Sequence, residues 1–322
     1  MSGTNSKHQI LLFRPLFPFL HAALSPIYDL LQSWESPLPL PAFLSSHAAR
    51  CRVILSSGPN PPAVSVDIIS LLPDLRLILA TSAGVNHIDL DACRRRGVRV
   101  ANAGAVFSAD VADYAVGMAI DVLRQISAAD RYVRRGLWAL KGGYPLGSKV
   151  GGKRIGIVGL GSIGSEVAKR LEAFGCIIMY NSRLQKPSVP YKYFSNVRDL
   201  AVESDVLVLS CSLTAETHHI INRDILLALG KNGVLINIGR GALVDEKELV
   251  RCLMEGVIGG AGLDVFENEP HVPKELFHMD NVVLSSHRAV ITPESIDDLC
   301  EVVIRNLEAF FANRELLTPI SL

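Results

Sequence analysis

Residues 154–174 read RIGIVGLGSIGSEVAKRLEAF, and the fold class can be inferred from this stretch. The apolar run over 154–160 predicts a strand, and the apolar spacing of 165–174 predicts a helix. Between them, residues 159–164 follow the G-x-G-x-x-G pattern, whose glycines allow a tight turn, a close pyrophosphate and close helix packing. A purely structural glycine turn is the alternative. The strand–turn–helix setting favours a dinucleotide site with phosphate on the helix N-terminus, formed by Gly159, Gly161, Ser162, Ile163 and Gly164.

The turn after the next predicted strand, 177–180, bears on which dinucleotide binds. Sites for NAD commonly carry an acidic residue about 20 positions after the glycines. This chain instead has Asn181-Ser182-Arg183 there, with Lys186 nearby. A hydroxyl and fixed positive charges suit a 2′-phosphate, so the turn predicts a preference for NADP(H), with NAD(H) possible. An ordinary solvated turn is the other interpretation.

Two series of predicted strands alternate with helical patterns, which is typical of βαβ units around parallel sheets. Helical patterns over 109–124 and 293–313 flank the second series and are predicted to cross between two domains. The predicted fold class is α/β, with two Rossmann-like domains. A dinucleotide-binding domain of residues 107–287 is inserted into a substrate-binding domain of residues 1–106 and 288–322. The strands of the first series are 9–13, 52–56, 75–80 and 97–101, and those of the second are 154–159, 177–180, 205–211, 234–238, 262–265 and 282–285.

Composition and charge exclude several classes of function. The 322 residues carry 32 Lys plus Arg and 32 Asp plus Glu, so the formal net charge is zero and nucleic acid is a poor partner. The apolar stretch 10–24 contains Arg14 and two prolines, so it predicts no membrane span and disfavours a signal peptide. The six cysteines show no C-x-x-C pair and no histidine at zinc spacing, which predicts reduced thiols and no metal. A cytoplasmic location is the default expectation.

Three polar residues follow predicted strands in the second half of the chain: Arg240, Glu269 and His287. The carboxyl ends of strands are where open parallel sheets bind their ligands. Taken singly, each residue has a plainer interpretation, as a surface cation, one of several acids, or a loop histidine. Their joint placement makes them candidate catalytic residues.

Together these segments match a known family. Residues 159–164, 237–245 (NIGRGALVD) and 262–270 (GLDVFENEP), followed by His287, resemble the D-isomer-specific 2-hydroxyacid dehydrogenases over nearly the whole chain. Within that family, the segment DVADYA at 110–115 and the Ser182-Arg183 turn are most similar to plant-type glyoxylate, hydroxypyruvate and hydroxyphenylpyruvate reductases.

The resemblance implies a role for each of the three polar residues. Arg240 would bind the substrate carboxylate and keto oxygen, His287 would be the acid/base, and Glu269 would orient His287. Physical chemistry agrees, because a guanidinium can grip a planar carboxylate with fixed orientation. An imidazole beside a carboxylate can also supply the proton that the ketone oxygen needs as hydride reaches its carbon.

The resemblance also implies binding residues outside this trio. The N–H groups of Ala83 and Gly84 would bind the substrate carboxylate, with a simple strand–helix turn as the alternative. Trp138 would lie on the arm of a homodimer, with a partly exposed core tryptophan as the alternative. The chain departs from the family pattern at 285–290 (SSHRAV), where relatives commonly have Pro before the histidine and Gly after it. A changed loop backbone is expected there. Along the cofactor, the resemblance places Ser108, Cys211, Thr217, Ile238 and Asp264.

The expected function is NADPH-preferring reduction of a small 2-oxoacid, glyoxylate or hydroxypyruvate, to the 2-hydroxyacid. Three alternatives stay open from the sequence. They are reduction of hydroxyphenylpyruvate, a corepressor-like protein that senses dinucleotides, and NAD-dependent oxidation of D-hydroxyacids, which Asn181 and Arg183 disfavour.

Overall fold

The computed structural model describes residues 7–58 and 62–322, and the chain divides into two compact units. Unit 1 comprises Met1–Phe107 and Thr292–Leu322, and unit 2 is Ser108–Ile291. Unit 2 is therefore inserted into unit 1, and each unit is built around a parallel sheet, so the predicted fold class is confirmed. The second division lies at Ile291, a little beyond the predicted end of the inserted domain at residue 287.

Unit 1 contains a five-stranded sheet of order β2-β1-β3-β4-β5, in which every strand pair is parallel. The four expected strands are present, and β2 is an addition that the sequence analysis missed. It is a half-exposed edge strand, DLLQ, whose polar ends hide it from an apolar pattern. The strands are β1 (Gln9–Leu12), β2 (Asp29–Gln32), β3 (Val53–Ser56), β4 (Leu77–Ala80) and β5 (Arg99–Ala101), and the helices are α1 (Pro18–Leu24), α2 (Leu40–His47), α3 (Val66–Ser70), α4 (Leu90–Arg96) and α12 (Pro293–Phe311).

Unit 2 contains a seven-stranded parallel sheet of order β12-β11-β10-β9-β6-β7-β8. Its edge strand β8 was also missed, because KYF is short and partly exposed. The strands are β6 (Arg154–Val158), β7 (Ile177–Asn181), β8 (Lys192–Phe194), β9 (Val206–Leu209), β10 (Val234–Asn237), β11 (Gly260–Leu263) and β12 (Val282–Leu284), and the helices are α5 (Ser108–Arg124), α6 (Ile126–Arg134), α7 (Leu137–Lys141), α8 (Ser162–Ala173), α9 (Val197–Glu203), α10 (Arg223–Leu229) and α11 (Glu246–Met254).

The central strands of unit 2 are buried on both faces, as the residues of β9 and β10 show. Strand β11 reads GAGL and begins two residues before the predicted strand. A Cβ at Gly262 would lie 3.1 Å from the Met118 Cβ, and one at Gly260 would lie 2.8 Å from the Val122 Cγ1. Small residues in β11 therefore let helix α5 approach the sheet closely.

The strand order of unit 2 fixes where a ligand can bind. Strand β6 lies between β9 and β7, so the chain leaves β6 toward one edge of the sheet and later returns to the other side. The crevice beside such a reversal, at the carboxyl ends of the strands, is the usual ligand site of open parallel sheets. The glycine turn follows β6 directly, which places it at this reversal.

Among the helices of residues 7–58 and 62–322, none combines the length and the apolar character that crossing a membrane requires.

Candidate active site

The glycine turn after β6 has the geometry of a phosphate cradle. Gly159 has a φ of +97°, and a Cβ there would lie 2.5 Å from the Cys211 backbone nitrogen. A Cβ at Gly164 would lie 2.2 Å from the Gly159 carbonyl oxygen, whereas a Cβ at Gly161 would meet nothing within 4 Å. Helix α8 begins at Ser162 without a capping side chain. Open space over Gly161 beside the N–H groups of the first turn, including that of Ile163, fits a pyrophosphate.

The turn after β7 brings the predicted 2′-phosphate residues to the same side of the sheet. The Lys186 ammonium donates to the Leu160 carbonyl oxygen of the glycine turn, and the Lys186 N–H donates to the Tyr180 hydroxyl at 2.8 Å. Ser182 Oγ donates to the Leu184 carbonyl oxygen at 2.6 Å, and Arg183 is exposed. Lys186 is therefore tied to the glycine turn, and Arg183 is the cation left in contact with solvent.

The segment after β9 forms the other wall beside the glycine turn. Cys211 lies next to Gly159, and burial raises the pKa of its thiol to about 11, so it stays protonated at neutral pH. Thr217 Oγ1 donates to the Ser212 carbonyl oxygen and accepts from the Thr214 N–H, each at 2.7 Å. The Thr217 side chain thus shapes its own loop. Its predicted contact with a cofactor stays a prediction.

Arg240 follows β10, and Asn237 fixes the backbone around it. The Asn237 side chain, which is 1% exposed, donates to the Arg240 carbonyl oxygen at 3.0 Å and accepts from the Gly239 N–H at 3.1 Å. Arg240 Nη1 donates to the Gly239 carbonyl oxygen at 2.7 Å. Burial lowers the pKa of Arg240 below its usual value, and the negative charge of Glu269 opposes that shift. A partly buried guanidinium at the carboxyl end of a strand is suited to binding an anion.

Glu269 and His287 form a hydrogen-bonded pair. His287 Nδ1 lies 2.8 Å from Glu269 Oε2, and the Phe266 N–H donates to Glu269 Oε1 at 3.1 Å. Burial acts to raise the pKa of Glu269, but the hydrogen bond and charge of His287, the Phe266 N–H and Arg240 outweigh it and lower that pKa. An ionised Glu269 can only accept, so Nδ1 is the donor and Nε2 is left for proton exchange.

Asp264 organises the loop that carries His287. Its backbone carbonyl accepts from the His287 N–H at 2.7 Å, and its carboxylate accepts from the Arg288 and Ala289 N–H groups at 2.9 and 3.1 Å. The same carboxylate accepts from the Ser285 hydroxyl. His287 has a φ of +51°, an uncommon backbone for a residue other than glycine, which this network holds. The departure SSHRAV is therefore compatible with an ordered loop.

Three further candidate residues, Ser108, Ile238 and Trp138, differ in how deeply they are buried. Ser108 is the first residue of α5 and is buried, and Ile238 is buried directly after β10. Trp138 lies on α7 with 64% of its surface exposed, and most of the surface of Leu140 and of Leu146 is exposed as well. The cofactor contacts of Ser108 and Ile238 stay predictions, and the exposure of Trp138 argues against a role in the core of unit 2.

The predicted substrate loop belongs to unit 1 and follows β4. Asn102 Nδ2 donates to the Ala83 carbonyl oxygen at 2.6 Å, and Ser82 Oγ donates to the Gly84 carbonyl oxygen at 2.7 Å. The loop carbonyls are thus occupied. Within residues 7–58 and 62–322, neither the Ala83 nor the Gly84 N–H has a hydrogen-bond partner. Two adjacent unpaired N–H groups are suited to binding an anion.

Sequence reasoning missed the residues that hold this site in place. Asn237 ends an otherwise apolar strand, VLIN, and a single polar residue at that position was a usable signal. Glu246, at the start of α11, accepts from the Glu267 N–H at 3.1 Å, and only the folded chain shows that contact. Asp264 appeared in the sequence analysis as a cofactor residue, whereas its observed contacts are with the His287 loop.

Known proteins similar to this chain share its architecture. A glyoxylate/hydroxypyruvate reductase of Arabidopsis thaliana is 56% identical, with 100% of each chain covered. A hydroxyphenylpyruvate reductase of Plectranthus scutellarioides is 46% identical, covering 97% of this chain and 98% of that protein. The structure of an NADPH-dependent glyoxylate/hydroxypyruvate reductase from Sinorhizobium meliloti, in complex with NADP and malonate, superposes with a TM-score of 0.91 at 34% identity. It covers 98% of this chain and 97% of its own.

Residues 116–289 match the NAD binding domain of the D-isomer specific 2-hydroxyacid dehydrogenases. That segment falls inside unit 2 and includes the glycine turn and His287. The protein is thus an oxidoreductase whose cofactor is a nicotinamide dinucleotide. With the identities above, the match shows that the chain belongs to the D-isomer specific 2-hydroxyacid dehydrogenase family.

Proposed function

We propose that the chain reduces a small 2-oxoacid, glyoxylate or hydroxypyruvate, to the 2-hydroxyacid, with NADPH preferred over NADH. The observation that carries the proposal is the His287–Glu269 pair at 2.8 Å, with the charge of Arg240 acting on Glu269. The names of the Arabidopsis and Sinorhizobium proteins support the substrate class.

Each residue of the site has a distinct task in this reaction. Arg240 binds the oxoacid through its carboxylate and keto oxygen, and its partial burial strengthens that attraction by excluding water. A nicotinamide dinucleotide held by the glycine turn at 159–164 would supply the hydride for the ketone carbon. His287 gives the proton on Nε2 to the ketone oxygen, while Glu269 accepts from Nδ1 and stabilises the positive charge of the imidazolium. Ala83 and Gly84 of unit 1 are proposed N–H donors to the carboxylate.

The experiment on substrate and function follows NADPH absorbance with purified protein and three oxoacids: glyoxylate, hydroxypyruvate and 4-hydroxyphenylpyruvate. We expect turnover with the two small acids to exceed turnover with the aromatic one. Faster reduction of 4-hydroxyphenylpyruvate would reassign the substrate and favour the alternative that the Plectranthus relative supports. NADPH binding with no turnover of any acid would contradict an enzymatic role and favour a dinucleotide-sensing protein.

Cofactor preference is proposed to rest on Arg183, the exposed cation beside the glycine turn. Arg183→Ala should raise the KM for NADPH and leave that for NADH nearly unchanged, because only NADPH carries the 2′-phosphate. Arg135→Ala, which removes another exposed arginine of unit 2, is the matched control. Equal effects on both cofactors would remove Arg183 from phosphate recognition.

The oligomeric state and the cellular location of the chain are also proposed. A homodimer is favoured by the exposed apolar side chains of Trp138, Leu140 and Leu146, which cost free energy in water. Light scattering coupled to size exclusion would test it, and a monomer at micromolar concentration would refute it. A cytoplasmic location stays a prediction from the sequence.

A further inference from the structure

A second group of chemically active side chains lies outside the proposed catalytic trio. His218, His219 and Glu267 bring three potential ligand atoms within 4.8 Å of one another. We propose that these three residues, here called the His218 cluster, bind one divalent transition cation of the zinc class. This revises the expectation of no metal, which rested on the spacing of cysteines and histidines along the chain.

The donor set favours a particular class of cation. Two imidazole nitrogens and one carboxylate oxygen suit Zn²⁺ and its neighbours, whereas Mg²⁺ and Ca²⁺ prefer oxygen ligands alone. Three protein ligands leave a fourth position of a tetrahedral site for water. The cluster is partly open, since His218 is exposed while His219 and Glu267 are half-buried, so a hydrated cation has access.

The distances require only a small adjustment. His219 Nε2 is already 2.8 Å from Glu267 Oε1. Ligand atoms around a tetrahedral zinc ion lie about 3.3 Å apart, given bonds of about 2.0–2.1 Å. The two half-buried ligands are therefore close to the required spacing. The exposed His218 ring is stacked on the His219 ring at a centroid distance of 3.9 Å, so its side chain has to rotate to aim a nitrogen at the same ion.

The backbones of two of the ligand residues, His219 and Glu267, are fixed by hydrogen bonds. The His219 N–H donates to the Ala242 carbonyl oxygen at 2.9 Å, and the Glu267 N–H donates to Glu246 Oε2 at 3.1 Å. His219 also has a φ of +51°, so its backbone is kept in an uncommon conformation by its surroundings. Ligands fixed in this way lose little freedom when a cation binds, which favours affinity.

A simpler interpretation treats His219 and Glu267 as a structural hydrogen bond with no cation. His218 distinguishes the two. Within the described part of the chain, its ring nitrogens make no hydrogen bond, and its recorded contact is the stacking on His219. A structural pair has no use for that third ring, whereas a metal site does.

The test measures zinc binding directly, by equilibrium dialysis and by thermal unfolding of the full chain without added cofactor. We expect one tightly held equivalent of Zn²⁺ per chain and a Tm that rises with zinc concentration. His218→Ala and Glu267→Gln should each weaken binding by at least about tenfold, the smallest loss that removing even an outer partner of a metal causes.

The control is His278→Ala, which removes an exposed histidine of the same unit outside the cluster and should leave zinc binding unchanged. Circular dichroism establishes that each variant is folded. The proposal is overturned if the wild type binds no stoichiometric zinc, or if His218→Ala binds it as tightly as the wild type. A Tm rise of equal size with Mg²⁺ would overturn the assignment of nitrogen ligands.

Discussion

Two histidine–glutamate pairs of unit 2 match in distance, exposure and backbone conformation, but they differ in the ring nitrogen that faces the carboxylate, which is Nδ1 in His287 and Nε2 in His219. His287–Glu269 and His219–Glu267 each have a nitrogen–oxygen distance of 2.8 Å, and both histidines have a φ of +51°. All four side chains are partly buried, with 23–32% of their surface exposed. Pair geometry alone therefore does not identify an acid/base catalyst.

The surroundings separate the two pairs. Glu269 is under the influence of the half-buried Arg240, and the His287 loop is fixed by Asp264 at the carboxyl end of β11. His219 instead stacks on the exposed ring of His218. A nearby anion-binding cation makes one pair suited to reducing an oxoacid, while a neighbouring imidazole makes the other suited to a metal.

The largest expected difference between the pairs is in the histidines. His287→Asn should lower kcat by about 10³-fold, within the range that a general acid contributes. His219→Asn should cause a much smaller loss, because it removes no reacting group. Steady-state NADPH oxidation with hydroxypyruvate measures both. Comparable losses of kcat in the two variants would contradict the assignment of His287, rather than His219, as the proton donor.

Substitutions of the two glutamates should show the same contrast, with smaller losses in kcat. Glu269→Gln should lower kcat by about 100-fold with little change in the KM for the oxoacid, because the proton-donating imidazolium loses the carboxylate that orients its ring and balances its charge. Glu267→Gln should have little effect on kcat in the absence of zinc. A Glu269→Gln enzyme with full activity would remove Glu269 from the mechanism.

Glu246 interacts electrostatically with the glutamates of both pairs, Glu267 and Glu269. We expect the charge of Glu246 to affect the free energy of unfolding. Burial raises the pKa of Glu246, the hydrogen bond from the Glu267 N–H opposes that shift, and the negative charges of Glu267 and Glu269 each raise the pKa by a smaller amount. A carboxyl whose pKa is raised by folding destabilises the folded state once pH rises through that pKa. Glu246→Gln should therefore raise Tm by a few degrees at pH 7.5.

The same gain should shrink as pH falls toward the ordinary carboxyl pKa, because Glu246 is then protonated in both folded and unfolded chains. Glu275→Gln, at an exposed position of the same unit, is the control. A gain that is independent of pH would show that charge at Glu246 is not its source.

The sequence alone predicts much of this molecule, for identifiable reasons. Apolar strands followed by glycines or by single polar residues mark the sheet and bring Arg240, Glu269 and His287 to neighbouring strand ends. Strands β2 and β8 are missed because edge strands need little apolar character. The role of Asp264 depends on hydrogen bonds to backbone groups of the distant His287 loop, which no local pattern encodes. Asn237 bonds within its own turn, to Gly239 and Arg240, so only its place at the end of an apolar strand marks it in the sequence.

A double-mutant cycle on kcat/KM for hydroxypyruvate at positions 287 and 269 tests directly whether His287 and Glu269 act as one proton-donating pair. If Glu269 acts only through His287, then Glu269→Gln should cost nearly nothing in a chain that already carries His287→Asn. A parallel cycle at 219 and 267 should show no coupling of that size. Fully additive losses at 287 and 269 would contradict the assignment of this pair as the proton donor.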